Sequence, residues 1–198
     1  VSNGADPALM PEAGIETDAA IMASPPAGHQ LVQSVDVLSE IVSDPFMLGR
    51  IAAVHALSDL YAALATPTSA LAIINLPEAN LSIQTNQLTQ ILAGGLFALS
   101  EAGVKLTGGH TSEGGALSVG FSVTGHVKKK RPAVSVTAGS GDDLVLVLTK
   151  PLGTGVIMAG HMQLVAEAQW VDAAIRQMAV SNQQAAKHFL KKGVLGAT

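Results

Sequence analysis

Three aspartates, Asp18, Asp36 and Asp59, stand where the surrounding pattern expects a strand start, a strand end and the late part of a helix. Carboxylates grouped at one edge of a fold suit Mg²⁺, a hard cation that takes oxygen ligands and keeps waters and substrate phosphates in its shell. Aspartates at element ends are also common caps and turn formers, so spacing alone leaves both roles open. His55 lies one helical turn before Asp59 and shares its face, which allows a metal pair, a hydrogen bond to a carboxylate or packing beside the site. The run Gly108-Gly109-His110-Thr111 follows a short strand. Its glycines would let backbone N–H groups approach a phosphate, although a Gly-Gly pair is equally a plain turn. Neither a Walker P-loop nor a GxGxxG motif is present, and Gly153-Thr154-Gly155 after Lys150-Pro151-Leu152 lacks P-loop spacing. No Ser-His-Asp order and no His-Glu-x-x-His pair is visible.

Elements that would position these residues can be read from the periodicity. The run 1–14 is rich in Gly, Pro and Ala and reads as a flexible arm. Strands are predicted over Ala19–Ala23 and Gln30–Val35, joined by a turn through Pro25-Pro26-Ala27-Gly28. Ser43-Asp44-Pro45 predicts a helix start, with the helix over Phe46–Leu64. A buried strand over Ala70–Leu76, a helix over Ile83–Ala102 stopped by Gly103, and a short strand over Val104–Thr107 follow. Leu117–Val127 alternates as a strand should and runs into Lys128-Lys129-Lys130-Arg131, read as a solvated turn. Asp143–Thr149 predicts a strand buried on both faces. Helices are expected over Val156–Glu167, Trp170–Met178 and Ser181–Lys191. The order implies an α+β fold, a mixed sheet with helices packed on one face, followed by the beginning of a second α/β domain. The expected domains are 15–141, an N-terminal domain, and 142–198, the start of a C-terminal domain.

Composition narrows the class of function. The chain has 198 residues, 48% of them hydrophobic and only 13% charged, against about 25% charged in ordinary soluble domains. So apolar a surface is expected to be covered by a partner, a homodimer being the simplest case. A net charge of −4 argues against nucleic-acid binding, which needs clustered positive charge. The absence of cysteine excludes a disulfide framework, a thiolate metal site and a cysteine nucleophile in these residues and is compatible with a cytoplasmic location. No apolar run reaches the ~20 residues of a membrane span.

Taken in order, Thr17-Asp18-Ala19-Ala20, Val35-Asp36, Asp44-Pro45-Phe46 with Gly49-Arg50-Ile51-Ala52-Ala53, and Ala56-Leu57-Ser58-Asp59-Leu60-Tyr61-Ala62 resemble the selenophosphate synthetase (selenide, water dikinase) family. Gly108-Gly109-His110-Thr111, Gly120-Phe121 with Val123-Thr124-Gly125, and Leu148-Thr149-Lys150-Pro151-Leu152-Gly153-Thr154-Gly155-Val156 continue the resemblance, which runs from about Gly14 to the end. The wider group is the aminoimidazole ribonucleotide synthetase-like superfamily. The resemblance implies a reaction in which ATP, selenide and water give selenophosphate, AMP and phosphate, and a homodimer whose N-terminal domains pair their sheets. It implies ATP and Mg²⁺ binding and dimerisation for 15–141. On matching positions it implies Asp18 and Asp59 as Mg²⁺ ligands and Asp36 and Asp59 as ATP contacts. It makes Gly109, His110 and Thr111 the loop that meets the nucleotide of the same or the neighbouring subunit, and puts Thr17 in the nucleotide-contacting stretch.

Departures from the family pattern are specific. The family's catalytic cysteine or selenocysteine and nearby lysine lie in a glycine-rich segment upstream of the position of Asp18, and nothing in 1–17 corresponds. A third metal aspartate is expected directly after Gly196-Ala197-Thr198. The chain is therefore expected to be a piece truncated at both ends, without a catalytic residue of its own. Ala63-Leu64-Ala65-Thr66 stands where the family usually has Met-Gly-Gly or Met-Gly-Ala, which leaves the geometry of that helix end open. Rival readings are a thiamin-monophosphate kinase-like or hydrogenase-maturation-like enzyme of the same superfamily, and a non-catalytic dimerisation and nucleotide-binding module.

Overall fold

The computed structural model describes residues 19–130, 145–192 and 197. Its elements are β1 (His29–Ser39), α1 (Pro45–Ala62), β2 (Thr66–Pro77), α2 (Leu81–Ala102), β3 (Lys105–Gly114) and β4 (Ser118–Lys128), then α3 (Thr154–Met162), α4 (Ala168–Met178) and α5 (Gln183–Lys192). The strands form one mixed sheet in the order β1-β4-β2-β3. Strand β4 runs antiparallel to β1 and β2, while β2 and β3 are parallel. This is the α+β class, with α1 and α2 packed on one face of the sheet.

Local chemistry fixes the ends of the two long helices. Asp44 caps α1 by accepting a hydrogen bond from the Met47 backbone N–H at 2.9 Å, and Pro45 takes the first position, where no N–H partner is needed. Asn80 caps α2 in the same way through the Ser82 N–H. Gly103 ends α2 at φ 70°, the left-handed conformation that costs glycine little. The end of α1 answers the question raised by Ala63-Leu64-Ala65: Leu64 itself adopts φ 55°. The Leu64 N–H bonds to the Tyr61 carbonyl and the Ala65 N–H to the Leu60 carbonyl, the paired bonds of a Schellman turn made without glycine.

Between sheet and helices lies the core, with Leu48, Ile51, Leu57, Ile74, Ile91 and Phe121 fully buried. Two glycines bring α1 and α2 together. A Cβ at Gly49 would overlap the Ile91 carbonyl and one at Gly94 the Phe46 carbonyl, so only glycine permits this backbone approach.

Five sequence expectations need correction. The helix expected over Val156–Glu167 starts at Thr154 and stops at Met162, just before Leu164 takes φ 60°. Residues 19–26 form no strand, and β1 pairs with β4 instead of a preceding hairpin partner. Because β4 is eleven residues long and matches β1 throughout, β1 extends to Ser39, and Asp36 sits inside the strand, not at its end. The Gly108-Gly109-His110-Thr111 run is not a loop: it is the middle of β3, held by parallel pairing to Leu71–Ile74. Residues 145–149 of the expected buried strand form no strand, and Val145 and Leu146 are 88% and 90% exposed. High β-propensity there has no neighbouring strand to pair with among the described residues, and a lone strand is not stable in water.

Candidate functional site

Alternation along β1 places Val32, Ser34, Asp36 and Leu38 toward the helices, while Leu31, Val35 and Val37 are exposed on the open face. Helix α1 crosses this row with His55 and Asp59 one turn apart. The two elements thus bring four polar side chains together. Ser34 Oγ donates to Asp59 Oδ2 at 2.6 Å, and His55 Nε2 lies 4.0 Å from Asp36 Oδ1. Burial pushes the Asp36 carboxyl above its ordinary pKa of 3.8. The neighbouring Asp59 charge and a hydrogen bond between the two carboxyls add to this, and the His55 ring works against it. Two carboxylates in mutual contact repel when both are ionised, and a divalent cation between them would remove that cost.

The donor chemistry fits Mg²⁺ in kind, since Asp36 and Asp59 offer hard oxygen ligands. Among the described residues no group of three or more His, Asp or Glu stands close enough to hold a metal ion by itself. Thr17 and Asp18, the other expected members of the site, lie outside the described residues.

Gly109, His110 and Thr111 are elsewhere. Register puts Asp36, Phe121, Ala72 and Gly109 in one row across β1, β4, β2 and β3. Three strand spacings of ~4.8 Å place Gly109 roughly 14 Å from Asp36 along that row. His110, one residue on, belongs to the row of Ile73, Gly120 and Val37, whose side chains take the open face. A Cβ at Gly109 would collide with the Ala72 backbone, so close strand approach already accounts for this glycine.

Ser34 was not singled out from the sequence. The signal was present, because a residue two places before a strand aspartate shares its face. Two clefts flank the outer side of α1. One, of about 150 Å³, is lined by Ser58, Asp59 and Thr149 among others, and the other, of about 370 Å³, by His55, Ser58 and Lys150 among others.

Known proteins resemble this chain in sequence and in fold. Residues 16–127 match the family of AIR synthase related proteins, N-terminal domain. The chain is 44% identical over 164 residues to a selenide, water dikinase of Geobacter metallireducens, covering 83% of this chain and 47% of that protein. A second selenide, water dikinase, from Geobacter sp. strain M21, is 42% identical over 168 residues, covering 85% and 48%. The chain thus spans about half the length of the curated relatives it matches. Among solved structures, the thiamine-monophosphate kinase of Stenotrophomonas maltophilia superposes with a TM-score of 0.66 at 23% identity, over 89% of this chain and 58% of that one.

Proposed function

We propose, from the premise that this chain belongs to the AIR synthase related family by its N-terminal domain, that it is the Mg-ATP-binding part of a selenide, water dikinase. The observation that carries this reading is the Asp36–Asp59 carboxylate pair with its Ser34 and His55 partners. The names of the relatives at 44% and 42% identity support the reaction class. In the whole protein, ATP, selenide and water would give selenophosphate, AMP and phosphate. Mg²⁺ bound at the carboxylates would neutralise phosphate charge and orient the polyphosphate.

Each chain residue has a task in that scheme. Asp59 is the stronger candidate for a metal ligand, because Ser34 fixes one of its oxygens and leaves the other carboxylate positions for a cation. Asp36 ligates beside it or contacts the nucleotide; Thr17 and Asp18, outside the described residues, are proposed as further nucleotide and metal contacts. His55 faces Asp36 across 4.0 Å. Gly109, His110 and Thr111 would meet a nucleotide of the same or a neighbouring subunit, and the opposite facing of His110 and Asp36 favours the neighbouring one for His110. The exposed Leu31, Val35, Val37 and Leu71 support burial of the open sheet face in a homodimer.

Calorimetric titration with Mg²⁺ and a non-hydrolysable ATP analogue tests the site. The wild-type chain is expected to bind the analogue only with Mg²⁺ present, and Asp59→Asn is expected to weaken binding at least about tenfold, the loss of one charge-assisted contact. Equal binding by wild type and Asp59→Asn would remove the reading.

A further inference from the structure

The Thr149-Lys150-Pro151 run has no task in the nucleotide scheme, yet it lies at the junction of the two clefts. Asn182 Nδ2 donates to Ser58 Oγ at 3.0 Å, and Ser58 Oγ in turn donates to the Val54 carbonyl at 2.8 Å. This bridge ties the turn between α4 and α5 to α1, and both of its residues line both clefts. Asp59 and Thr149 line the smaller cleft, and Lys150 lines the larger.

Polar groups of the larger cleft are His55, Ser58, Lys150, Thr154, Gln177 and Asn182, set against apolar walls that include Leu38, Ile51 and Met178. No carboxylate is among the described residues that line it. Lys150 Nζ donates to the Val180 carbonyl, which engages one of the three ammonium donors. Among the described residues Lys150 makes no ion pair. Burial pushes its pKa below the ordinary lysine value. A half-buried cation without an acidic partner favours an anion from solution, because attraction is stronger where the walls lower the local dielectric. Thr154, on the same cleft, opens α3, and no side chain caps that helix. The first-turn N–H groups at this end add donors of the right sign. A volume of about 370 Å³ has room for a phosphate group and several waters.

We propose that this cleft is a phosphate subsite in which Lys150 supplies the charge, adjoining but separate from the Asp36–Asp59 carboxylates. Its ligand is a phosphate group, either free orthophosphate or a phosphate of the nucleotide. The nucleotide source rests on the reading given under Proposed function, whereas the orthophosphate source does not. The division of labour follows from charge. The carboxylates accept phosphate only through a cation, whereas the lysine cleft accepts it directly.

Calorimetric titration of the chain with inorganic phosphate, and separately with Mg²⁺ and the non-hydrolysable ATP analogue, tests the subsite in wild type, Lys150→Met, Lys150→Arg and Asp59→Asn. Affinity in one arm is expected to fall about tenfold or more in Lys150→Met, the size of a lost charge-assisted hydrogen bond, and to stay within about threefold in Lys150→Arg. A loss in the phosphate arm identifies the free anion as ligand, and a loss in the analogue arm alone identifies the nucleotide. Phosphate binding is expected to survive Asp59→Asn, which separates this site from the carboxylate site. Should Lys150→Met fail to fold, the Gln177 side-chain amide resonance of the wild type gives a second readout: it is expected to shift on addition of phosphate or the analogue. Unchanged affinity in both arms of Lys150→Met, or a Gln177 resonance that neither ligand moves, would overturn the proposal.

Discussion

Asp36 and His110 take opposite faces of one sheet: Asp36 faces α1 in the row of Phe121, Ala72 and Gly109, and His110 takes the open face in the row of Ile73, Gly120 and Val37. A single chain therefore cannot bring both side chains to one phosphate without unpairing a strand. On the proposed reading that both residues serve one nucleotide, a second chain laid on the open face would supply His110.

Val35 and Val37 are 56% and 50% exposed on that face. Val35→Glu together with Val37→Glu places two charges where a partner would desolvate them, while the helix-side core is untouched. Sedimentation velocity is expected to show a dimer for wild type and a monomer for the double variant, with unchanged far-ultraviolet circular dichroism. A wild type that sediments as a monomer would remove the shared-site model.

The raised pKa of Asp36 gives a signed pH dependence. The folded chain holds this proton more tightly than the unfolded chain, so the contribution is stabilising at low pH and is lost as pH rises from 3.8 through the raised value. Asp36→Asn removes that loss. Its Tm is expected to exceed that of wild type at neutral pH without Mg²⁺, and the gap is expected to close when Mg²⁺ is added to wild type.

Leu64 combines a left-handed backbone with 7% exposure, so backbone and side chain pull in opposite directions. Leu64→Ala loses packing and keeps the strained φ, whereas Leu64→Gly loses the same packing and relieves the strain. Left-handed backbone costs a non-glycine residue about 1–2 kcal/mol. Urea unfolding is expected to rank wild type first, Leu64→Gly second and Leu64→Ala last, with about 1 kcal/mol between the two variants. A less stable Leu64→Gly would mean that flexibility of the unfolded chain outweighs the strain.

Gly94 and Gly109 test close backbone approach in two layers. Alanine at Gly94 meets the Phe46 carbonyl across the helix pair, and alanine at Gly109 meets Ala72 across the parallel strands. Each substitution is expected to lower unfolding free energy by about 3 kcal/mol, the upper end of ordinary overpacking, since backbone cannot swing aside as a side chain can. Gly115→Ala, with no atom within 4 Å of the added Cβ, is the control and is expected to change stability little.

The two long helices were the most legible part of the sequence. Asp44-Pro45 and Gly103 are local signals that act within a turn, and the observed helices, Pro45–Ala62 and Leu81–Ala102, differ from the expected ones by only one or two residues at any end. Strand limits were less legible because a distant partner sets them. Nothing near Asp36 says that β4 carries pairing on to Ser39, and nothing near Gly108 says that β2 holds the glycine run in line. Residue type grouped Asp36 and Asp59 with Asp18 as candidate carboxylates, but the Asp36–Asp59 contact depends on the sheet register and on how α1 lies over β1. Asn182 and Ser58, which are 124 residues apart, give no local sign of their hydrogen bond.

The exposed apolar ribbon from Val145 to Leu148 has a practical consequence for handling the chain. It is uncharged, free of proline and rich in residues that favour extended backbone, so copies of it can pair edge to edge. Concentrated solutions are expected to precipitate through this segment before the folded core opens, and a single lysine at Val147 is the change most suited to keep the protein in solution.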